Sequence, residues 1–251
     1  MIIDTHAHIY ELEYDNLDEI VSKLNEYIVI NNGINEETNK MVLNMAEKYP
    51  NFYAAIGYHP ENVEEIEDWD LKLLESEINN QKVVAIGEIG LDYHYCSENK
   101  EKQKELFIKQ LDLAAKYNKP VVVHSRDAIE DTFNILSKYK LKADIHCFSS
   151  SLEMAERFIK LGSSIGIGGT VTFKNAKKTV EVAKNIELGK ILLETDSPYL
   201  SPEPLRGTKN DPTNLKYVIE FLANIKGLDK ELVQNTLNQN AIQFFDLKGV
   251  N

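Results

Sequence analysis

Residues 82–93 read KVVAIGEIGLDY. After the leading lysine, the first part of this stretch (82–87) is apolar or glycine, with β-branched residues at 83, 84 and 86. A strand with one wet face alternates apolar and polar residues. A run without alternation fits a parallel strand covered on both faces. Seven comparable runs accompany it: MIID (1–4), YIVIN (27–31), FYAAIG (52–57), KPVVVH (119–124), ADIHCF (143–148), SSIGIG (163–168) and KILLET (190–195). Between them lie segments of helical period such as NLDEIVSKLNE, NKEKQKELFIKQLDLAAKYN and SLEMAERFIKLG. In the second, Leu106, Ile108, Leu111, Leu113, Ala114 and Ala115 are expected to gather on one side. Asp127 is the candidate N-cap of the helix that follows HSRD, and Gly162 the candidate terminator of FIKLGSS. DPTNLKYVIEFLANIKG and LDKELVQNTLNQNAIQFF read as closing helices. Eight strands, each followed by helical or loop material, predict an α/β fold: one (β/α)8 TIM barrel over 1–251, with its active site at the C-terminal strand ends. A doubly wound open sheet is the alternative topology.

The composition, 43% hydrophobic and 27% charged over 251 residues, supplies a sizeable core. No apolar stretch approaches the ~20 residues needed to cross a bilayer, and no secretory signal is present. A cytoplasmic, monomeric protein without a membrane partner is expected. The two cysteines, Cys96 and Cys147, form no redox pair or disulfide framework by spacing, which leaves nitrogen and oxygen to hold any metal. The net charge of -12 argues against broad adhesion to nucleic acid, which relies on lysine and arginine. A cationic centre supplies local positive charge that a residue count ignores. A nucleic-acid substrate would then be held weakly away from the site.

His6 and His8 share one face if the first strand is extended, since side chains at i and i+2 point the same way. His59 follows the third strand, Glu88 the fourth, His124 the fifth, His146 the sixth and Asp196 the eighth. Singly, each has a bland reading: a surface histidine, a helix cap, or an Asp-Ser-Pro turn. Together they place five of six histidines on the barrel face where catalytic residues collect. A catalytic zinc takes about three protein ligands and a water. Four histidines (His6, His8, His124, His146) and two carboxylates exceed that and suit two metals about 3.5–4 Å apart. Glu88 or Asp196 would be the shared ligand. The residues point to a binuclear metallohydrolase.

With these residues in place, the chain resembles the TatD family of metal-dependent deoxyribonucleases, within the amidohydrolase-like hydrolases. The resemblance runs through DTHAHI, AAIGYHPENV, VVAIGEIGLDYHY, NKPVVVHSRDA, IHCFSS, GIGGTVTFKNA, LLETDSPYLSPEPLRGTKNDP and NQNAIQFF, in the family's order. The LETDSPYL block is the most specific. Three departures are visible. Alanine stands between the first two histidines where cysteine is common, HCFSS lacks a usual glycine, and the segment around YIVINNGIN is short, so one lip of the barrel is expected to differ.

The resemblance implies that His6 and His8 hold one divalent metal with Asp196, that His124 and His146 hold the second, and that Glu88 bridges both. Ligand type admits zinc, manganese or magnesium. The implied reaction is hydrolysis of a DNA phosphodiester by a water whose pKa two cations lower toward about 7. Asp196 is expected to orient that water and take its proton, and His59 to contact phosphate or protonate the leaving oxygen. Arg206 is the candidate phosphate fork, and Tyr93 and Tyr199 candidate stacking surfaces for a base. Asp4 is expected to brace an imidazole from behind. His94 and Cys96, in the same fourth loop, are given no role. Two other classes fit the sequence: an amide or ester hydrolase acting on a small or aminoacyl substrate, and a metal-loaded scaffold without turnover.

Overall fold

Each apolar run becomes a strand of one parallel sheet in the computed structural model, which describes residues 1–66, 71–95 and 97–250. Cys96 lies outside them. The strands are β1 (Ile2–Ala7), β2 (Tyr27–Asn32), β3 (Phe52–Ile56), β4 (Val83–Asp92), β5 (Val121–Arg126), β6 (Ala143–Ile145), β7 (Ser164–Ile167) and β8 (Ile191–Leu193). They pair in chain order. The helices are α1 (Leu17–Ser22), α2 (Glu36–Lys48), α3 (Lys72–Glu77), α4 (Lys100–Tyr117), α5 (Ile129–Leu136), α6 (Leu152–Lys160), α7 (Lys177–Asn185), α8 (Leu215–Lys226) and α9 (Lys230–Phe245). The result is the single nearly closed α/β barrel that the alternation predicts, not an open sheet. Among the described residues no helix is long and apolar enough to cross a membrane.

Closure comes from the chain just beyond β8. The Asp196 amide donates to the His6 carbonyl at 2.9 Å, and the His8 amide to the Ser197 carbonyl at 2.7 Å. The Thr5 hydroxyl donates to the Leu193 carbonyl at 3.0 Å. Asp4 completes the seam. Its carboxylate accepts the amides of Thr195 (3.0 Å) and His6 (3.2 Å) and the Thr195 hydroxyl. The expected contact with an imidazole is therefore replaced by a backbone staple. Burial pushes the Asp4 carboxyl up to about 8, against the lowering effect of those hydrogen bonds.

Helical period places α4 as expected along Leu106, Leu111, Leu113 and Ala114, all buried, together with Phe107. Ile108 and Ala115 turn out to solvent. They fall on the far side of the stripe once Gln103 and Gln110, both buried, complete it. Gln103 and Gln110 are buried because each amide pairs with backbone, at Asp92 and Tyr58 respectively. Asp127 does not cap α5. It sits in the left-handed region at φ 54°, Ala128 holds the cap position, and the Asp127 carboxylate faces His94 Nδ1 at 3.1 Å. Gly162 does follow the end of α6, at φ 92°, a conformation that favours glycine.

Four strands, β1, β2, β4 and β5, run further than their apolar runs suggested. β4 continues past Gly87 to Asp92 with all ten residues buried, because Gly90, Leu91 and Asp92 still pair with His124, Ser125 and Arg126. Glu88 and His6 thus lie within strands rather than at their ends. Each sits at a register shift, between Ile86 and Ile89 in β4 and between Asp4 and Ala7 in β1. Such irregularities bend a strand and re-aim the side chain they carry.

Candidate metal centre

The register shifts turn His6, His8 and Glu88 into the C-terminal mouth of the barrel. His6 Nε2 and His8 Nε2 stand 3.1 Å apart. Glu88 Oε2 lies 3.4 Å from the first and 3.6 Å from the second. Asp196 Oδ1 lies 3.7 and 3.5 Å from the same two nitrogens. A tetrahedral ion with bonds of about 2.0–2.1 Å spaces its ligands by about 3.3–3.4 Å. The four residues fit a metal of that size.

The other oxygen of Glu88 faces a different group. Oε1 is 2.9 Å from His124 Nδ1, 3.6 Å from His59 Nε2 and 3.9 Å from His146 Nε2. His146 Nε2 is also 3.8 Å from Asp196 Oδ1, and its ring stacks on His6 at 3.6 Å between centroids. The donor atoms fall into three groups: His6, His8 and Glu88; His6, His146 and Asp196; His59, Glu88 and His124. The expected division of His124 and His146 into one pair is thus less sharp in the atoms, because His146 lies between the two sides.

Hydrogen bonds on the far nitrogens decide which atom of each ring is free. His8 Nδ1 lies 2.9 Å from the Asn32 carbonyl, which only accepts, so Nδ1 carries the proton and Nε2 keeps its lone pair. His146 Nδ1 faces Glu194 Oε2 at 3.1 Å, and His124 Nε2 faces Asp92 Oδ2 at 2.9 Å. A carboxylate behind an imidazole fixes its orientation and raises its basicity as a ligand. Glu194 has room because Gly166 leaves it: a Cβ there would come within 2.6 Å of Glu194 Oε2. His59 differs, since its Nδ1 accepts the Glu61 amide at 3.3 Å. Its proton therefore sits on Nε2, which makes that nitrogen a donor.

Electrostatics follow the same division. Burial pushes His59 down to about 3, helped by the neighbouring His124, and burial also lowers His6 with help from His146. Burial opposes charge on His124 too, but hydrogen bonds to Asp92 and Glu88 prevail and raise it to about 9. Asp92 falls to about 2 as burial is overcome by His124. For Glu88, burial raises the carboxyl, yet His59, His6 and His124 together hold it well below the usual range. Asp196 is likewise lowered, with burial outweighed by the His8 hydrogen bond and by His146 and His6.

His8, His59, Glu88, Asp92, His124, His146 and Asp196 line a cavity of about 680 Å³ at the barrel mouth, with Arg126, Tyr95, Tyr10, Tyr199, Thr170 and Thr179 on its walls. Two residues expected on those walls stand elsewhere. Arg206 is exposed with its guanidinium 4.3 Å over the Phe173 ring, and Tyr93 donates its hydroxyl to Asp131 at 2.7 Å beneath Lys100. Tyr199 does reach the mouth, where its hydroxyl donates to Glu13 at 2.9 Å. Asp92, Glu194 and Arg126 were missed. Strand period marks all three: Asp92 shares the face of Glu88, Glu194 stands two before Asp196, and Arg126 two after His124.

A parallel barrel whose C-terminal mouth gathers histidines and carboxylates at metal-ligand spacing defines a metal-dependent hydrolase. The chain belongs to the TatD family of such enzymes. The sequence profile described as TatD related DNase matches residues 3–246. The uncharacterized metal-dependent hydrolase YabD of Bacillus subtilis is 39% identical, with 98% of this chain and 99% of that protein covered. YcfH of Escherichia coli, also an uncharacterized metal-dependent hydrolase, is 35% identical over 98% of this chain and 96% of its own. Among solved structures, the TatD homologue YjjV of Escherichia coli superposes with a TM-score of 0.90 at 33% identity, covering 98% of each chain.

Proposed function

We propose that this hydrolase cleaves phosphodiester bonds in DNA with the help of two divalent cations. The observation that carries the reading is the split of Glu88, whose Oε2 faces His6 and His8 while its Oε1 faces His124 and His59. One carboxylate serving two histidine groups is what a bridging ligand requires. His6, His8 and Asp196 would hold one ion with Glu88, and His124 and His146 the other. A nitrogen-rich shell with two carboxylates suits zinc or manganese. When bound, such a pair supplies Lewis acidity and lowers the pKa of a water between the ions and the substrate.

The protein's own groups divide the remaining work. Asp196 opens on the cavity from the left-handed region at φ 57°, and is ionised, as a proton acceptor for the attacking water must be. His59, neutral with its proton on Nε2, donates a hydrogen bond to a phosphate oxygen rather than binding metal. Arg126, exposed on the wall and 4.5 Å over Tyr95, takes the anion-gripping task expected of Arg206. A rival reading, hydrolysis of an aminoacyl or other small amide or ester, draws support from Glu13 and Glu61 on the same walls, which favour a cationic substrate.

Labelled single-stranded DNA and acyl-amide substrates, each assayed with magnesium, manganese and zinc, separate the two. DNA cleavage that depends on added metal is the expected result. Strong deacylation with no DNA loss under any metal would sink the nuclease reading. Glu88→Ala is expected to reduce turnover by about a hundredfold or more and to lower bound metal from two ions per chain, as read by elemental analysis on folded protein. Retention of two ions would remove the bridging role.

A further inference from the structure

Among the described residues, four buried side-chain atoms have no hydrogen-bond partner: His6 Nδ1, Asn32 Oδ1 and the two carboxylate oxygens of Asp144. Buried polar atoms normally find one. The first two complement each other. His6 directs Nε2 at His8, Glu88 and Asp196, so a metal held by Nε2 leaves the proton of the neutral ring on Nδ1. Nδ1 is then a donor without an acceptor. Asn32 donates its Nδ2 to the Ile30 carbonyl at 3.0 Å, which leaves Oδ1 as an acceptor without a donor. Both residues are fully buried.

The strands bring the two residues to one place. β1 and β2 are hydrogen-bonded neighbours, with Ala7 opposite Asn31. On β2, Ile28 and Ile30 join Ile3, Ala55, Val122 and Leu192 in a cluster drawn from strands all round the barrel, which therefore lies inside it. Alternation puts Asn32 on that inner face, above Ile30. The Glu88 amide donates to the Gly33 carbonyl at 3.0 Å, and the Asn32 carbonyl faces His8 Nδ1 at 2.9 Å. The end of β2 thus lies at the level of the metal ligands. Asp144 is the other unpartnered acceptor, but it stands on β6, which does not pair with β1, and its charged neighbours are Glu194 and His146. His8, His124 and His146 each have an acceptor behind the ring, in the Asn32 carbonyl, Asp92 and Glu194. Of these four histidines, His6 is the one without.

We infer that Asn32 is a positioning residue of the metal centre: its Oδ1 accepts the Nδ1–H of His6 in the metal-loaded protein, directly or through one buried water. Asn32 then braces both histidines of the first ion, His8 with its backbone carbonyl and His6 with its side chain. The inference rests on His6 as a metal ligand and not on the identity of the substrate. An imidazole held from behind keeps its orientation and is a stronger ligand. A leucine in place of Asn32 keeps the shape, but it leaves the His6 N–H buried without an acceptor and the ring without the bond that aims Nε2.

NMR of the zinc-loaded protein, labelled at histidine, tests this. A ring N–H in a buried hydrogen bond exchanges slowly with water and gives a signal of its own. His6 is expected to show such an Nδ1–H signal on addition of zinc, and Asn32→Leu to lose it while the His8 Nδ1–H signal stays. Zinc affinity, read by competition with a chelator, is expected to fall about 10- to 100-fold in Asn32→Leu and to recover in Asn32→Asp, which keeps the acceptor. If Asn32→Leu does not fold, Asn32→Val replaces it with the same expectations. A His6 Nδ1–H signal that survives the loss of Oδ1, or unchanged zinc affinity, overturns the role and points to Asp144 instead. Equal weakening in Asn32→Leu and Asn32→Asp overturns it as well, because the acceptor is then not what matters. A His6 ring that does not respond to zinc removes the ligand assignment itself, and the role with it.

Discussion

Glu194 and Asp92 each hold an imidazole from behind, and so set the state of the site. Glu194 accepts the Cys147 amide at 2.7 Å and faces His146 Nδ1, so it fixes both the ring and the backbone beside it. Glu194→Gln keeps the shape and removes the charge. Its expected effect is a 10- to 100-fold, or roughly so, loss of metal affinity, measured by titration against a competing chelator. His124 makes a second prediction. Its pKa of about 9 means that the free protein carries a proton there at neutral pH, held by Asp92 and Glu88. A metal must displace that proton. Apparent metal affinity should therefore climb as pH rises from 7 to about 9 and level off above it, in calorimetric titrations at several pH values. An affinity that falls over that range would remove His124 from the ligand set.

At the scale of the element, β1 and β4 carry the design. Their apolar runs were plain in the sequence, but the register shifts at His6 and Glu88 were not, because a shift depends on how two strands align and not on either alone. The same holds for Asp4. As the residue before a histidine pair it read as a support for an imidazole, whereas its carboxylate staples Thr195 to β1 where the barrel closes. Asp4→Ala leaves two buried amides and a hydroxyl without their acceptor. A loss of about 3 kcal/mol is expected, which for a chain of this length lowers Tm by about 6–12 °C. Thermal denaturation of the metal-free protein checks it, so that any change in metal binding does not enter. A shift under about 2 °C would show that the seam holds without Asp4.

The whole molecule stores unlike groups in one place: four carboxylates, Glu88, Asp92, Glu194 and Asp196, and the histidines they face are buried or nearly so at the barrel mouth. Cations add the charge that this arrangement lacks. Anything that binds the native state alone stabilises it by mass action, by about 2.7 kcal/mol per site at a hundredfold excess over Kd. Removing metal with EDTA should lower Tm, and restoring zinc or manganese should raise it in proportion to the logarithm of free metal. A melting curve indifferent to chelator would mean that the native fold gains nothing from metal. The net charge of -12 belongs to this scale too. Against it, Arg126 brings a cationic group to the cavity wall, a placement that no linear charge count shows.

The sequence by itself determined the barrel, the order of its strands and the strand on which each histidine and carboxylate would ride. Unalternating β-branched runs can be buried only between layers, and strand period fixes which residues share a face. Tertiary structure alone decided which ends of those residues meet. The two oxygens of Glu88 serve different histidines, Arg126 rather than Arg206 reaches the cavity, and Thr179 faces it from a helix start. These depend on register, on barrel closure and on room left by Gly166, and such distances arise only when strands far apart in the chain are brought side by side.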